Sequence, residues 1–156
     1  MDRPVIVTAD ADGQHLPKDI LAVASHAQKE PDTLVLGSRQ FSHDVPLRSR
    51  LGNDLTRFLF SEITGCTLPD TQTGLRAIPV ALVEKIVGSS LCGYEFELEM
   101  LLIAAQSHMT ISCVPIQTVY LDGNSESHFR PVRDSIRIYR VLLSHAISSA
   151  IPGSLA

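Results

Sequence analysis

The stretch Val5-Ile6-Val7-Thr8-Ala9-Asp10-Ala11-Asp12-Gly13-Gln14-His15 couples a hydrophobic strand to an acidic turn, and this coupling limits what the rest of the chain can build. Val5, Ile6 and Val7 form a continuous apolar run, the pattern of a strand from Pro4 to Ala9 covered on both faces. Asp10, Asp12 and Gln14 follow at alternate positions. In a backbone that stays extended, alternate side chains project the same way, so three oxygen-bearing groups are expected to converge on one spot. Two carboxylates and an amide oxygen suit a hard divalent cation, Mg²⁺ or Mn²⁺. Gly13 allows the turn, and Leu16-Pro17-Lys18-Asp19 opens a helix with Pro17 near its first position. A solvated acidic loop is the plainer alternative. A calcium loop is excluded: the glycine stands at the fourth loop position rather than the sixth, Leu21 takes the place of the closing glutamate, and a strand precedes it.

A chain of 156 residues, 44% hydrophobic and 19% charged, reads as one globular α/β domain. The net charge of -4 argues against wholesale nucleic-acid binding. Local charge matters more, because ten of the thirteen basic residues are arginine. Cys66, Cys92 and Cys113 are scattered, with no CxxC pair, which fits reduced thiols in a cytosolic setting rather than a zinc site. Met1-Asp2-Arg3-Pro4 leads straight into the strand, without the pattern of a signal peptide. No uninterrupted apolar run reaches membrane-spanning length.

Residues 19–29 carry Ile20, Leu21, Val23, Ala24 and Ala27, a helix with one apolar face. Thr33 to Ser38 reads as a second buried strand, so the opening is a β-α-β unit that implies parallel pairing. Arg39 follows at the edge where open α/β sheets bind ligands. Between Leu47 and Ile63 a helix presents Leu51, Leu55, Phe58, Leu59 and Ile63 as a core-facing stripe, with Arg48, Arg50 and Arg57 off it. Pro69, Asp70 and Gly74 mark a turn-rich loop entering a short strand that ends at Pro79. A short helix spans 80–87. Another begins near Gly93, where Glu95, Glu97 and Glu99 favour the helix dipole whatever else they do. Residues 111–119 read as a last strand, which Pro115 places at a sheet edge or bulge. From Pro131 to about Ser148 runs a helix with Arg133, Arg137 and Arg140 in one stripe and Arg130 leading into it. Val132, Ile136, Tyr139 and Leu143 line a neighbouring face, widened by Ile138, Leu142 and Ala146. Such a helix suits an anionic membrane surface or packs on the sheet with a solvated arginine edge.

Asp10-Ala11-Asp12-Gly13-Gln14-His15 after a hydrophobic strand resembles the metal-binding motif of family 2 glycosyltransferases with the GT-A fold. The branch it is most similar to is that of dolichol-phosphate mannose synthase and the bacterial polyprenyl-phosphate sugar transferases. Gly37-Ser38-Arg39, Asp70-Thr71-Gln72-Thr73-Gly74-Leu75-Arg76, Phe96-Glu97-Leu98-Glu99 and Ser127-His128-Phe129-Arg130-Pro131 resemble further strings of that branch, in family order. The resemblance implies a partial GT-A domain, a mainly parallel sheet flanked by helices, over residues 1–130, followed by the amphipathic helix 131–150. It implies inverting transfer of a hexose from a nucleoside diphosphate sugar to polyprenyl phosphate. Asp12, Glu97 and Asp70 become the catalytic candidates, with Asp10, Asp12 and Gln14 on Mg²⁺ or Mn²⁺. Arg39, Arg48, Arg50 and Arg130 become the phosphate contacts. The expected setting is cytoplasmic, peripheral on the cytosolic face of the membrane.

The resemblance starts inside the family's domain. The units that hold base and ribose would precede Met1, so the first strand is expected to expose an open edge and the chain alone to self-associate and transfer poorly. Two rival readings stand beside the transferase: a silent module that binds membrane or a partner through its arginine helix, and a sugar nucleotidyltransferase of related architecture.

Overall fold

The computed structural model describes residues 4–39, 47–88, 94–117 and 131–150. Hydrophobic alternation in the second strand divides the core in two. β2 (Leu34–Arg39) sends Leu34 and Leu36 to one face and Val35 to the other, all wholly buried. Each such burial contributes about 1.5–3 kcal/mol relative to exposure. Leu34 and Leu36 join Phe60, Leu82, Leu98, Leu101, Ile138 and Leu142 under α2 (Leu47–Thr64), α3 (Val80–Ile86), α4 (Tyr94–Gln106) and α5 (Pro131–Ala150). Val35 meets Val23 and Ala27 of α1 (Pro17–Lys29), together with Leu75, Ala77 and Ile116. Among the described residues the result is a sheet with one helix on one face and four on the other, the α/β layering expected.

The described sheet has four strands in the order β1-β3-β2-β4, with β1 (Val5–Thr8), β3 (Arg76–Pro79) and β4 (Ile111–Ile116) completing it. β2 and β4 pair in parallel from Leu34↔Ile111 to Arg39↔Ile116. β3 runs antiparallel to both β1 and β2. The parallel pairing expected within the opening β-α-β unit is therefore not made. Its two strands do point the same way, so three of the four strands are parallel in direction, but β3 lies between β1 and β2. Pro115 sits on β4, an edge strand of the described sheet, a place that suits its missing N–H.

Two burial expectations need correction. β1 is covered on one side only: Val5 and Val7 pack toward α1, while Ile6 is 47% exposed and Thr8 is exposed. Ile6 stands opposite Ile78, on the four-helix face, and the helices cover Ile78 but not the edge. In α2 the inward residues are Thr56 and Phe60, with Leu59 and Ile63 partly buried beside them. Leu55 and Phe58 point outward, and the Leu51 side chain lies outside the described residues. The helix has two apolar faces, and contact with α4 and α5 selects the one through Phe60.

Candidate functional site

Three strands that run the same way end at one place. The residues after β1, at the end of β2 and at the end of β4, with the loop entering β3, line a cleft of roughly 260 Å³ counted with its open mouth. Asp10, Gln14 and His15 come from the turn after β1, Arg39 from β2, Thr73 and Gly74 from the loop, and Ile116 and Gln117 from β4. This is the carboxyl edge at which open α/β sheets bind ligands.

The acidic turn does not stay extended. Residues 11–13 form a turn, with Gly13 at φ 77°, a value that suits glycine. The Asp12 carboxylate folds back to accept the Gln14 backbone N–H at 3.0 Å. Asp10 and Gln14 accordingly reach the cleft while Asp12 lies outside its lining, so the three-fold convergence expected from alternation is reduced to two groups. Among the described residues, no group of three or more His, Cys, Asp or Glu side chains is gathered as a metal site.

Asp10 has a partner that the sequence did not announce. His15 Nε2 donates to its Oδ2 at 3.2 Å, while the His15 side chain is only 7% exposed. This hydrogen bond, opposed by burial and reinforced by the electrostatic pull of His15, Arg39 and Arg76, holds the Asp10 carboxyl below its usual range. His15 Nδ1 is buried without a partner among the described residues. Gly74 makes this corner possible: a Cβ there would collide with the Asp10 carboxylate. Thr8 Oγ1 also donates to the Gly74 carbonyl at 3.0 Å, which ties β1 to the loop.

Asp70 is wholly buried and faces Arg39. Arg39 Nε donates to Oδ2 at 2.6 Å and Nη2 to Oδ1 at 3.0 Å, a bidentate pair. Gln72 N–H adds a bond to Oδ1 at 3.0 Å. Arg76, to which the sequence pattern assigned no role, is the largest fully buried side chain among the described residues. Its guanidinium donates to the carbonyls of Thr73 at 2.8 Å, Glu97 at 2.7 Å and Thr71 at 3.4 Å, so it joins the loop to α4. The available signal was a charged residue inside the otherwise apolar run from Leu75 to Pro79. Glu97 lies 3.8 Å from Arg76 through its carboxylate. Burial pushes its carboxyl up to about 7 against the pull of Arg76.

The remaining arginines separate. Arg57 donates to the Leu68 carbonyl and pairs with Asp54, so it fastens α2 to the following loop. Arg48 and Arg50 belong to α2, but their side chains lie outside the described residues, as does all of Arg130. Arg137 pairs with the nearly buried Glu95 at 3.3 Å, while Glu97 faces Arg76. Burial pushes the Cys113 thiol up to about 11, so it remains an unreactive core group.

No family model matches the chain. It is 33% identical over 123 residues to an uncharacterised protein of Methanocaldococcus jannaschii, a match covering 76% of this chain and 51% of that protein. It is 34% identical over 125 residues to the UDP-N-acetylglucosamine–dolichyl-phosphate N-acetylglucosaminyltransferase of Methanococcus voltae, covering 76% of this chain and 49% of that enzyme. Among solved structures it resembles glucosyl-3-phosphoglycerate synthase from Mycobacterium tuberculosis. In the complex with Mn²⁺, UDP-glucose and phosphoglyceric acid the TM-score is 0.64 at 19% identity, over 96% of this chain and 51% of that one. With phosphoglyceric acid the TM-score is 0.65. The chain thus spans about half the length of the relatives it matches. It carries part of the GT-A fold, and one of these two sequence relatives is named a glycosyltransferase.

Proposed function

We propose that this chain supplies the metal- and acceptor-side portion of an inverting hexosyltransferase, which moves a hexose from a nucleoside diphosphate sugar to polyprenyl phosphate. The observation that carries the reading is the cleft itself, where Asp10 and Gln14 share one lining with Arg39. Anion-binding and cation-binding groups side by side suit a metal-bridged diphosphate. The names of the relatives point the same way: one is a transferase of N-acetylglucosamine from its UDP-sugar to dolichyl phosphate, and one solved neighbour was complexed with Mn²⁺ and UDP-glucose.

Asp10 and Gln14 are hard oxygen donors that fit Mg²⁺ or Mn²⁺, and Asp12, exposed but outside the lining, is the third donor we assign once its carboxylate turns from the Gln14 N–H toward the cleft. When bound, the cation neutralises charge on the diphosphate leaving group. Arg39, with Arg48, Arg50 and Arg130, would hold the acceptor phosphate in line. That acceptor is already anionic, so it needs less help from a base than a sugar hydroxyl would. Glu97 then orients groups beside the cleft. In this reading the protein works peripherally at the cytosolic membrane face, with α5 toward anionic lipid.

Titration with Mn²⁺ in a calorimeter tests the metal assignment. Asp10→Asn and Asp12→Asn should each weaken binding by about tenfold or more while helix content stays constant. Unchanged affinity in both variants would reject the donor set. The silent-module alternative is favoured by the exposed apolar residues of α5, Ile136, Leu143 and Ile147. Vesicle binding without any binding of UDP-sugars would decide for it.

A further inference from the structure

We infer that Asp70 is a positioning residue whose buried carboxylate fixes the Arg39 guanidinium in the cleft, rather than a group that itself meets the sugar. The inference rests on the reading of Arg39 as a phosphate contact. Asp70 has no exposed surface. Both of its oxygens are engaged: Oδ2 accepts Arg39 Nε at 2.6 Å and the Arg39 backbone N–H at 3.4 Å, while Oδ1 accepts Arg39 Nη2 at 3.0 Å and Gln72 N–H at 3.0 Å. A carboxylate so committed has neither the access nor the lone pairs to take part in chemistry at a bound sugar.

What it can do is set a plane. An arginine held by two parallel bonds cannot rotate about its terminal torsions, and the same carboxylate grips the Arg39 main chain. Arg39, whose side chain is 25% exposed and which lines the cleft, therefore holds its guanidinium in one orientation there. Asp70 is itself fixed. Gln72 N–H closes a turn on it, and Arg76 pins the next residues through the carbonyls of Thr71 and Thr73. The carboxylate partly offsets the charge of Arg39. A phosphate in contact with Arg39 would nevertheless lie nearer to the guanidinium than to Asp70, so attraction prevails and the orientation is gained.

The test is a double-mutant cycle read by calorimetry, with inorganic pyrophosphate standing for the donor diphosphate and farnesyl monophosphate for the acceptor. Arg39→Ala should weaken at least one probe by about tenfold. Whichever probe responds identifies the phosphate that Arg39 serves. Asp70→Asn should weaken the same probe about tenfold in the native background and about twofold or less in the Arg39→Ala background. A purely structural role for Asp70 would give equal losses in both backgrounds and overturn the inference, as would no loss at all. If Arg39→Ala changes neither probe, or native protein binds neither, the phosphate reading falls and the inference with it. Should Asp70→Asn fail to fold by circular dichroism, Arg39→Lys decides. It keeps the charge but loses the fork, and is expected to bind as weakly as Arg39→Ala; native affinity in that variant would refute positioning.

Discussion

Glu97 makes the sharpest demand on pH of any residue described. Its carboxyl is raised from 4.5 to about 7, first by burial, with Arg76 pulling the other way from 3.8 Å. The folded protein thus holds this proton more tightly than an unfolded chain does. The associated stabilisation is complete below about pH 4.5 and is lost as pH rises through about 7. Glu97→Gln keeps the shape without the titration, so it should exceed the native protein in stability by on the order of 2 kcal/mol at pH 8 and by little at pH 4.5. Denaturant unfolding at the two pH values checks this, and a gap that does not change with pH would contradict it. Arg76 calls for a different substitution. Arg76→Met would leave the carbonyls of Thr71, Thr73 and Glu97 without their donor, at a cost of about 3–5 kcal/mol. For a domain of this size that lowers Tm by roughly 10 °C; a drop near zero would show that water replaces the guanidinium. These two residues also mark how far single positions could be read from the chain. The place of Asp10 and Arg39 at the carboxyl edge of the sheet was legible because Asp10 lies two residues past β1 and Arg39 ends β2, where local geometry fixes the sheet edge. The partners of Asp10 and Asp70 were not, since the His15 contact needs the turn at Gly13 and the Arg39 contact spans 31 residues.

At the scale of elements, hydrophobic period located every described helix and strand to within a few residues, yet it could not say which neighbour each would choose. The β-α-β opening does impose a common direction on β1 and β2, but only the register of Ile6 with Ile78 and of Val35 with Ala77 tells that β3 intervenes. α5 shows the same limit. Its core face runs through Ile138, Val141 and Leu142, whereas Ile136, Leu143 and Ile147 are more than half exposed. A helix with one packed and one open apolar face looks, in sequence, like a single broad stripe. The arginines of α5 divide accordingly. Arg140 is exposed, and Arg137 is tied to Glu95. Arg140→Gln should therefore weaken binding to anionic vesicles by about 1 kcal/mol with no change in Tm. Arg137→Gln should instead lower Tm, because it leaves Glu95 nearly buried and unpaired. Co-sedimentation in low and moderate salt, set beside thermal unfolding, separates the two. Salt-insensitive binding by every variant would mean that α5 does not face lipid.

For the molecule as a whole, the open question is what the sheet does at β1. One face of this strand rests on α1, but Ile6 and Thr8 are exposed, and β1 is an edge strand among the described residues. An edge with unpaired N–H and C=O groups and an apolar side chain is a template for another strand. The exposed Leu55 and Phe58 of α2 and the open face of α5 add apolar surface elsewhere. Self-association could then arise from strand pairing or from helix contacts, and the two respond to different substitutions. Strand pairing depends on Ile6, so Ile6→Lys, a charge of the kind that blunts natural edges, should turn a concentration-dependent oligomer into a monomer. Contact through α5 depends on Leu143, and Leu143→Glu should then be the variant that dissociates it. Because β1, unlike α5, offers backbone hydrogen bonds as well as apolar area, we expect Ile6→Lys to act and Leu143→Glu to leave the oligomer intact. Light scattering across a concentration series, on residues 1–156 of each variant, gives the answer. A native chain that is monomeric at every concentration, or one dissociated only by Leu143→Glu, would show that the β1 edge is not the sticky surface of this fold.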